Sequence, residues 1–397
     1  MSKELVLARA SLSRLMEPQD AAGMALVRVA GPCVALQIAT GKKPSDPGLE
    51  KDVAMLLDEH NHLSGWQGLS SAIKRWAARV PDLAPERDLN TIERLGGGVL
   101  IPEDEIWPEQ LRDLDIHEPL CLWWRGNREQ FPDLENTVAV VGSRDSTSYG
   151  ASVTAEISHA LASRGYCVVS GGAYGIDAHA HRAALAAGRS ALPTVAVLAG
   201  GVDRFYPAGN EDLLRAISRQ GAVIAEVPPG SAPTRYRFLQ RNRLIAALSG
   251  ATVVVEARWR SGALNTAHHA ESLGRAVAAV PGSVHSANSA GCHRLIRDGG
   301  AVLTTDAAEV IELLSPSGRD SADPQRALAQ SRVQDGLSLE DLIILDALPL
   351  RAGTSIEKLC IVAGLEATGV RAGLGRLQLL GLAETNNGLW KRSKASQ

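Results

Sequence analysis

The chain has 397 residues, of which 45% are hydrophobic and 21% are charged, and its formal net charge is −3 at pH 7. These proportions are ordinary for a folded globular protein, and the length predicts two or three domains. The slightly negative charge excludes a globally basic nucleic-acid-binding protein, whereas a local basic patch stays compatible with it.

The N-terminal region, residues 1–95, is predicted to be a small helical domain. Its apolar residues recur at helical spacing, first at Leu12, Leu15 and Met24 and then around Val53. The polar stretch "GKKPSDPG" at 41–48 interrupts this pattern and predicts a break between helices.

The cellular compartment is inferred from what the sequence lacks. No charged-then-apolar leader precedes the first helical segment, and no apolar run approaches the roughly 20 residues that span a bilayer. We therefore expect a cytoplasmic protein with no membrane partner. No C-x-x-C spacing occurs, so neither a disulfide framework nor a cysteine zinc site is predicted from the five cysteines, which are Cys33, Cys121, Cys167, Cys292 and Cys360.

Residues 96–314 are predicted to form an α/β core. A bridging segment opens it, with a strand in "LCLWW" at 120–124 that we expect to pack against the rest of the core. From residue 136 onward, runs such as "TVAVVG", "YCVVSGG" and "ATVVVEA" alternate with helical stretches. Continuous β-branched runs separated by helices are typical of a parallel sheet that is buried on both faces. The predicted fold class is therefore α/β, with a doubly wound sheet.

Two glycine-containing turns follow the first two strands of that pattern. A turn from a strand into a helix leaves unpaired backbone N–H groups at the positive end of the helix, and small residues let an anion approach them. Neighbouring turns of this kind meet at the carboxyl edge of a doubly wound sheet, where ligands bind. The second and third glycines of the dinucleotide fingerprint G-x-G-x-x-G are missing. The first turn contains Gly142, Ser143 and Arg144, and the second contains Ser170, Gly171, Gly172 and Gly175.

Arginines concentrate between residues 235 and 260, where Glu256 is the single acid. Arg241 and Arg243 stand directly before the apolar run "LIAAL", so we expect both in the first turn of a helix. A cation there opposes the helix dipole unless an anion is bound, which favours an anion site. The segment also holds three aromatics that could stack on exposed bases. The arginines are Arg235, Arg237, Arg241, Arg243, Arg258 and Arg260, and the aromatics are Tyr236, Phe238 and Trp259.

The sequence offers no clear catalytic candidate. Asp177, His179 and His181 have a D-x-H-x-H spacing that would converge on a metal in an extended strand, but they are expected to open a helix. We therefore expect Asp177 to cap or buttress the turn, His181 to pack under it, and no metal to bind. No nucleophile elbow and no P-loop lysine occur, so neither an enzyme activity nor a cofactor is predicted.

The C-terminal part begins with a polar segment, residues 315–336, that is predicted to be a linker. Residues 337–397 then show three amphipathic helical segments and two short strands around an Asn-Gly turn, which is the layout of a winged helix. The third helical segment carries only Arg371 and Arg376 as cations. Both DNA contact and a protein-docking or regulatory role therefore stay open for this domain.

The order of motifs from about residue 100 to 314 resembles the DNA-processing protein A family, also called Smf. The resemblance rests on "VAVVGSR", "SGGAYGIDAHAH", "RNRLIAALSGATVVVEA" and "GCHRLIRDGGAVL", which follow one another without large gaps. Two positions depart from the family pattern, because Leu239 replaces a usual proline and His293 a usual asparagine. The resemblance implies an extended Rossmann-like core and an N-terminal unit similar to a sterile-alpha-motif or helix-hairpin-helix domain.

By this resemblance, the chain is expected to be a homodimeric single-stranded-DNA-binding protein that processes incoming DNA and loads the RecA recombinase on it in natural transformation. The phosphate held by the two turns would then belong to a DNA backbone. Arginines would neutralise phosphates, while glycines and serines would position the strand. Carried over by position, the candidate contacts are Gly142, Ser143, Arg144, Ser170, Gly171, Gly172, Gly175, Arg241 and Arg243, and the basic patch adds Arg235 and Arg237.

A second function class stays open, namely a nucleotide-binding or nucleotide-cleaving enzyme of the related Rossmann-like superfamily. Enzymes similar to the cytokinin-activating phosphoribohydrolases carry a P-G-G-x-G-T-x-x-E motif, in which the glutamate does the chemistry. The nearest segment here is "SGALNTAHHAE", where Thr266 matches the threonine and His269 stands at the glutamate position. The missing carboxylate favours the DNA-binding interpretation.

Overall fold

The computed structural model describes residues 2–64, 66–127, 131–188, 191–314, 337–349, 353–386 and 388–393. The chain divides into two compact units, residues 1–317 and 318–397. The predicted boundary at residue 95 falls inside the first unit and stays a prediction, as does the linker at 315–336, which lies outside the described residues.

Within its described residues, the first unit begins with six helices. The first five pack around an apolar core that includes Leu12, Leu26 and Trp76, and the sixth contributes Ile92 to a second core that it shares with the sheet. Two of them start at aspartate caps, because Asp20 accepts a hydrogen bond from the backbone N–H of Gly23 and Asp46 one from that of Leu49. Asp46 lies in the polar stretch that was predicted to break the helical pattern. The helices are α1 (Lys3–Leu15), α2 (Ala21–Ala30), α3 (Pro32–Ala39), α4 (Pro47–Glu59), α5 (Leu69–Ala77) and α6 (Pro85–Arg94), with a short 3₁₀ turn at Val80–Asp82.

A sheet of nine strands forms the centre of the first unit, in the order β1-β2-β6-β5-β4-β3-β7-β8-β9. Strands β3 to β9 are parallel, whereas β2 pairs antiparallel with both β1 and β6. The predicted strand at 120–124 is thus confirmed as β2, packed on the sheet. The strands are β1 (Gly97–Leu100), β2 (Leu122–Gly126), β3 (Thr137–Val141), β4 (Cys167–Ser170), β5 (Thr194–Leu198), β6 (Ala222–Ala225), β7 (Ala251–Val254), β8 (Ala276–Ala279) and β9 (Val302–Leu303).

Helices cover both faces of this sheet, and the parallel strands β3 and β5 are buried at every residue. The predicted α/β class with a doubly wound, mostly parallel sheet is therefore confirmed, since such strands need apolar contacts on both faces. The helices are α7 (Ser148–Ser163), α8 (Ile176–Ala187), α9 (Glu211–Gln220), α10 (Arg235–Ala247), α11 (Gly262–Ser272), α12 (Ala290–Arg297) and α13 (Ala307–Leu314), and 3₁₀ turns occupy Glu109–His117, Leu134–Asn136 and Ala208–Asn210.

The strand order reverses between β3 and β7. From β3 the chain builds β4, β5 and β6 toward one edge, and from β7 it builds β8 and β9 toward the other. Loops that leave two neighbouring strands in opposite directions open a crevice at their carboxyl ends, which is where ligands bind in sheets of this kind. The carboxyl ends of β3 and β7 are therefore the expected place of a ligand site.

The described residues of the second unit form three helices followed by a two-stranded antiparallel hairpin, which is the predicted order of elements. Its assignment as a winged helix stays a prediction. Two of its cations form ion pairs, Arg376 with the buried Asp341 and Lys391 with Glu384. The elements are α14 (Leu339–Ala347), α15 (Ile356–Ala363), α16 (Ala367–Leu379), β10 (Ala383–Asn386) and β11 (Leu389–Arg392).

Among the helices of the described residues, none combines the length and the apolar character needed to cross a membrane.

Candidate nucleic-acid interface

A cleft of about 370 Å³ opens at the topological switch point between β3 and β7. The loop after β3, the start of α8, the middle of α10 and the start of α11 form its walls. Four arginines line it, against one carboxylate, and Arg258 also pairs with the exposed Asp145 at 2.7 Å, so the cleft carries a remaining excess of positive charge. The charged lining residues are Arg144, Arg241, Arg258, Arg260 and Asp177.

The two predicted glycine turns contact each other and form one structural unit. Gly175 has φ +73°, and a Cβ at this position would lie 2.7 Å from the carbonyl oxygen of Arg144 and closer still to that of Ser143. The backbone N–H of Ile176 donates to the Ser143 oxygen at 3.1 Å. Gly175 is therefore required for the close approach of the two turns, because any side chain would separate them.

The helix that follows the first turn already has an anion at its N-terminus. The carboxylate of Glu256, just after β7, accepts hydrogen bonds from the backbone N–H of Thr147 at 2.9 Å and from its hydroxyl at 2.6 Å. Glu256 is 2% exposed, and Gly150 leaves room for it. Thr147 caps α7, so this carboxylate stands where a Rossmann protein places a pyrophosphate. The expectation that this turn offers free N–H groups at a helix end is corrected accordingly.

Arg241 lies at the bottom of the cleft and is buried. Its guanidinium donates to the carbonyl oxygens of Gly171, at 2.8 Å, and Val197, while its Nε has no partner among the described residues. Burial lowers the pKa of Arg241 to about 10, a decrease that the nearby Asp177 carboxylate limits, so the arginine stays charged at neutral pH. Burial also raises the pKa of Asp177, which Arg241 counteracts. A Cβ on Gly171 would collide with both side chains.

Arg144 lies at the mouth of the cleft and is exposed. Its guanidinium carbon lies 4.7 Å from the centre of the Phe238 ring, and that of Arg241 lies 5.9 Å from the same centre. Phe238 thus holds two cations near one aromatic ring by cation–π attraction. This leaves the hydrogen-bonding edge of Arg144 available to a ligand in the cleft.

The helix start that is open to the cleft belongs to α11. Ser261 caps this helix by accepting a hydrogen bond from the N–H of Ala263 at 3.3 Å, and a Cβ on Gly262 would meet no atom within 4 Å. The neighbouring Arg260 is exposed and lines the same cleft. A helix N-terminus beside three further arginines is an environment that attracts phosphate groups. The sequence analysis predicts no DNA contact at Ser261 or Gly262. Both residues nevertheless open the segment "SGALNTAHHAE", whose S-G-A start is the signal that could have indicated them.

Comparisons with known proteins identify the family of this chain. Residues 98–315 match the family model described as DNA recombination-mediator protein A. A DNA processing protein DprA of Mycobacterium tuberculosis is 41% identical over 397 residues, covering 97% of this chain and 94% of that protein. The chain belongs to the DprA family. The X-ray structure of DprA from Streptococcus pneumoniae is similar, with a TM-score of 0.59 and 28% identity over 78% of this chain and 98% of that one.

Several of the candidate contacts carried over from the DprA family do not face the cleft. The hydroxyl of Ser170 donates to the carbonyl oxygen of Val140 at 2.6 Å, and the carbonyl oxygen of Gly172 accepts from the side chain of Asn210 at 3.1 Å. Both residues hold the second turn in shape and contact the sheet. The candidates that line the cleft are Gly142, Ser143, Arg144 and Arg241, and those that shape it are Gly171 and Gly175.

The predicted position of the arginines in α10 was wrong. Thr234 caps the helix by accepting a hydrogen bond from the N–H of Arg237, so α10 begins at Arg235. Arg241 and Arg243 therefore lie in the middle of the helix, where successive side chains point in different directions. Arg235 and Arg237 occupy the first turn instead, and Arg237 is neutralised by an ion pair with Glu17 at 2.8 Å.

Arg243 points away from the cleft and is 1% exposed. It forms a bidentate ion pair with Glu226, at 2.7 and 2.8 Å, and donates to the carbonyl oxygen of His117 at 3.0 Å. These contacts join α10 to the end of β6 and to the 3₁₀ turn before β2. The structure therefore does not bring Arg243 together with Arg144 and Arg241.

The residues of the D-x-H-x-H pattern have separate surroundings. Asp177 accepts a hydrogen bond from the N–H of Ala173 at 3.3 Å and so supports the second turn, as expected. His181 is buried under that turn, with its Nδ1 at 2.7 Å from the hydroxyl of Thr194. That hydroxyl donates to the carbonyl oxygen of Val168, so Nδ1 of His181 is the donor to Thr194. In the described part of the chain, no group of three or more potential ligands could hold a metal ion.

The burial of His181 predicts a loss of stability in acid. Burial lowers its pKa to about 3, whereas an unfolded histidine titrates near 6.5. The unfolded state therefore binds this proton more readily. The free energy of unfolding is unaffected by this group above about pH 6.5 and decreases as the pH falls toward 3. In urea unfolding between pH 4 and 7, His181→Leu should reduce the pH dependence by up to about 1.4 kcal/mol per pH unit. His268→Gln, at an exposed position, is the control, and an equal effect of the two variants would contradict the prediction.

Proposed function

We propose that this DprA family member binds single-stranded DNA through the switch-point cleft, without catalysing a reaction, and hands the strand to a RecA-type recombinase. The observation that carries the proposal is the excess of arginines over carboxylates around the open start of α11. Phosphate groups are the anions that such a cleft suits, because arginine and helix N–H groups both donate hydrogen bonds to their oxygens.

The arrangement of the cleft supports a DNA backbone over a free dinucleotide. Glu256 occupies the helix start at which a dinucleotide pyrophosphate would bind, and its carboxylate would repel a second anion there. The cations lie instead along the cleft, from the buried Arg241 to the exposed Arg144 and Arg260. A series of cations suits a chain of phosphates, whose binding releases counterions and depends on salt.

The nucleotide-cleaving alternative lacks an unpaired carboxylate among the described residues of the cleft. The exposed Asp145, next to Arg144, pairs with Arg258 at 2.7 Å, and the carboxylate in the lining is Asp177. Asp177 is buried beside Arg241 and accepts a backbone hydrogen bond. His269, at the position of the enzymes' glutamate, is partly buried on α11, and burial lowers its pKa. Neither group therefore supplies the exposed carboxylate that this chemistry uses.

A homodimer is part of the proposal, by resemblance to the DprA family. The edge strand β9 offers a surface for it, because Val302 and Leu303 are 54% and 48% exposed and the strand pairs only with β8 among the described strands. An exposed apolar edge favours pairing with a second chain.

The proposal is tested by fluorescence anisotropy with labelled oligo-dT and a duplex of the same length over a salt series. We expect single-strand preference, and we expect Arg144→Ala to weaken binding by about tenfold and to reduce the salt slope by about 0.7. The matched control is Arg219→Ala, which removes the same charge from an exposed position on α9 outside the cleft.

Equal affinities of the Arg144→Ala and Arg219→Ala variants would exclude the cleft as the binding site. If the wild-type chain showed no single-strand binding at all, the nucleotide alternative would be favoured, and binding of labelled ATP would then be measured.

A further inference from the structure

Trp259 is an exposed aromatic side chain that lies beside the cleft and is not among the residues that line it. It lies between the cleft-lining Arg258 and Arg260 in the loop from β7 to α11 and is 52% exposed. Burying an indole is strongly favourable, so a tryptophan held half in solvent beside a charged cleft suggests a surface that a ligand covers.

Backbone hydrogen bonds hold the loop around Trp259. The N–H of Ser261 donates to the carbonyl oxygen of Arg258 at 2.9 Å, which closes a turn with Trp259 and Arg260 at its centre. The preceding Ala257 exchanges backbone hydrogen bonds of 2.6 and 2.7 Å with Asn288 and Gly291. Because the backbone of this loop is already held, its ordering adds little to the entropic cost of binding a ligand.

One face of the indole is already covered. The guanidinium carbon of Arg294 lies 5.1 Å from the ring centre, a cation–π distance, and Arg294 is held in turn by Asp298 at 3.3 Å. This contact covers one face of the ring, while about half of the side chain stays exposed to solvent. The surroundings are rich in cations, which favour a nucleic acid over an apolar protein partner.

We propose that Trp259 stacks on an unpaired base of the DNA strand whose phosphates lie in the cleft. The inference rests on the proposed function and adds the source of strand selectivity to it. A base can stack on the indole only when it is free of its partner strand, whereas phosphate contacts by Arg144 or Arg260 are possible with either form of DNA.

The test compares oligo-dT with an oligonucleotide of equal length in which tetrahydrofuran abasic sites replace the bases and all phosphates are kept. We expect the wild-type chain to prefer oligo-dT by about 5- to 150-fold. Trp259→Ala should lose most of this preference while its affinity for the abasic strand stays within about twofold of wild type, and Trp259→Phe should restore part of it. Arg260→Ala is the matched control and should weaken both probes equally.

An unchanged base preference in Trp259→Ala would overturn the stacking proposal, and so would an equal loss of affinity for both probes. Single-strand binding by the wild-type chain would still support the proposed function in either case. Failure of the wild-type chain to bind either probe would overturn both. Preserved base preference combined with reduced recombinase loading would show that Trp259 contacts a protein instead.

Discussion

Replacing Gly175 with alanine is expected to lower the free energy of unfolding by at least about 4 kcal/mol. Two causes act together at this position. Its φ of +73° with ψ −128° is a conformation essentially restricted to glycine, and a Cβ would collide with the carbonyl oxygens of Ser143 and Arg144. The Ser143 oxygen cannot move freely, because it accepts the hydrogen bond from Ile176 that joins the two turns.

The matched control for this prediction is Gly188→Ala at the other end of the same helix. Gly188 also has a positive φ, +61°, but its ψ of 18° lies in the left-handed helical region, and no atom would meet its Cβ within 4 Å. Its replacement should cost only about 1 kcal/mol. Urea unfolding of both variants gives the comparison. Similar decreases in the free energy of unfolding in the two variants would mean that the close approach of the two turns does not contribute to the cost at Gly175.

The sheet was predictable from the sequence because its strands are chemically distinct. Runs such as "TVAVV" at 137–141 contain only residues that suit a strand buried on both faces, and the structure buries all five. The glycine turns were also located correctly, because their spacing after these strands is local information. The proximity of Gly175 to Ser143, by contrast, depends on how α8 packs and is absent from the pattern.

The candidate site was predicted less completely, because charge alone does not reveal burial. Six arginines between 235 and 260 suggested one basic patch, but Arg237 pairs with Glu17 and Arg243 with Glu226, both distant in sequence. The helix α10 begins six residues before Arg241, directly after the Thr234 cap, so Arg241 and Arg243 do not lie at its N-terminus. Because residues two apart in a helix point in different directions, the two arginines also face different surroundings.

In the sequence, Glu256 is distinguished only as the single acid among the arginines of residues 235–260. Its role depends on β7 lying beside β3, which brings the carboxylate to Thr147, 109 positions earlier in the chain. Pairing between distant strands is information that a single sequence does not display. The start of α11 is visible in the sequence as the S-G-A of "SGALNTAHHAE", but its position in the cleft depends on the same pairing of β7 with β3.

Replacing Arg243 with alanine should lower the stability of the protein without weakening its binding to DNA. The ion pair with Glu226 is buried, so removal of the arginine leaves a carboxylate without its counter-charge, at a cost of about 3–5 kcal/mol in the free energy of unfolding. Because Arg243 faces away from the cleft, we expect the folded variant to bind oligo-dT within about twofold of the wild-type affinity. Urea unfolding and anisotropy of the same preparation measure the two quantities.

Two comparisons make the Arg243 prediction specific. Arg144→Ala should show the opposite behaviour, because its exposed side chain contributes little to stability yet faces the cleft. In the double variant Arg243→Met/Glu226→Leu, both charges are removed, so the loss of stability should be smaller than in Arg243→Ala. A double variant as unstable as the single one would show that the hydrogen bonds from Arg243 to the His117 carbonyl carry the stabilisation. Loss of oligo-dT affinity by folded Arg243→Ala would instead support the position-by-position assignment of Arg243 as a DNA contact, through a path of the strand that extends beyond the cleft.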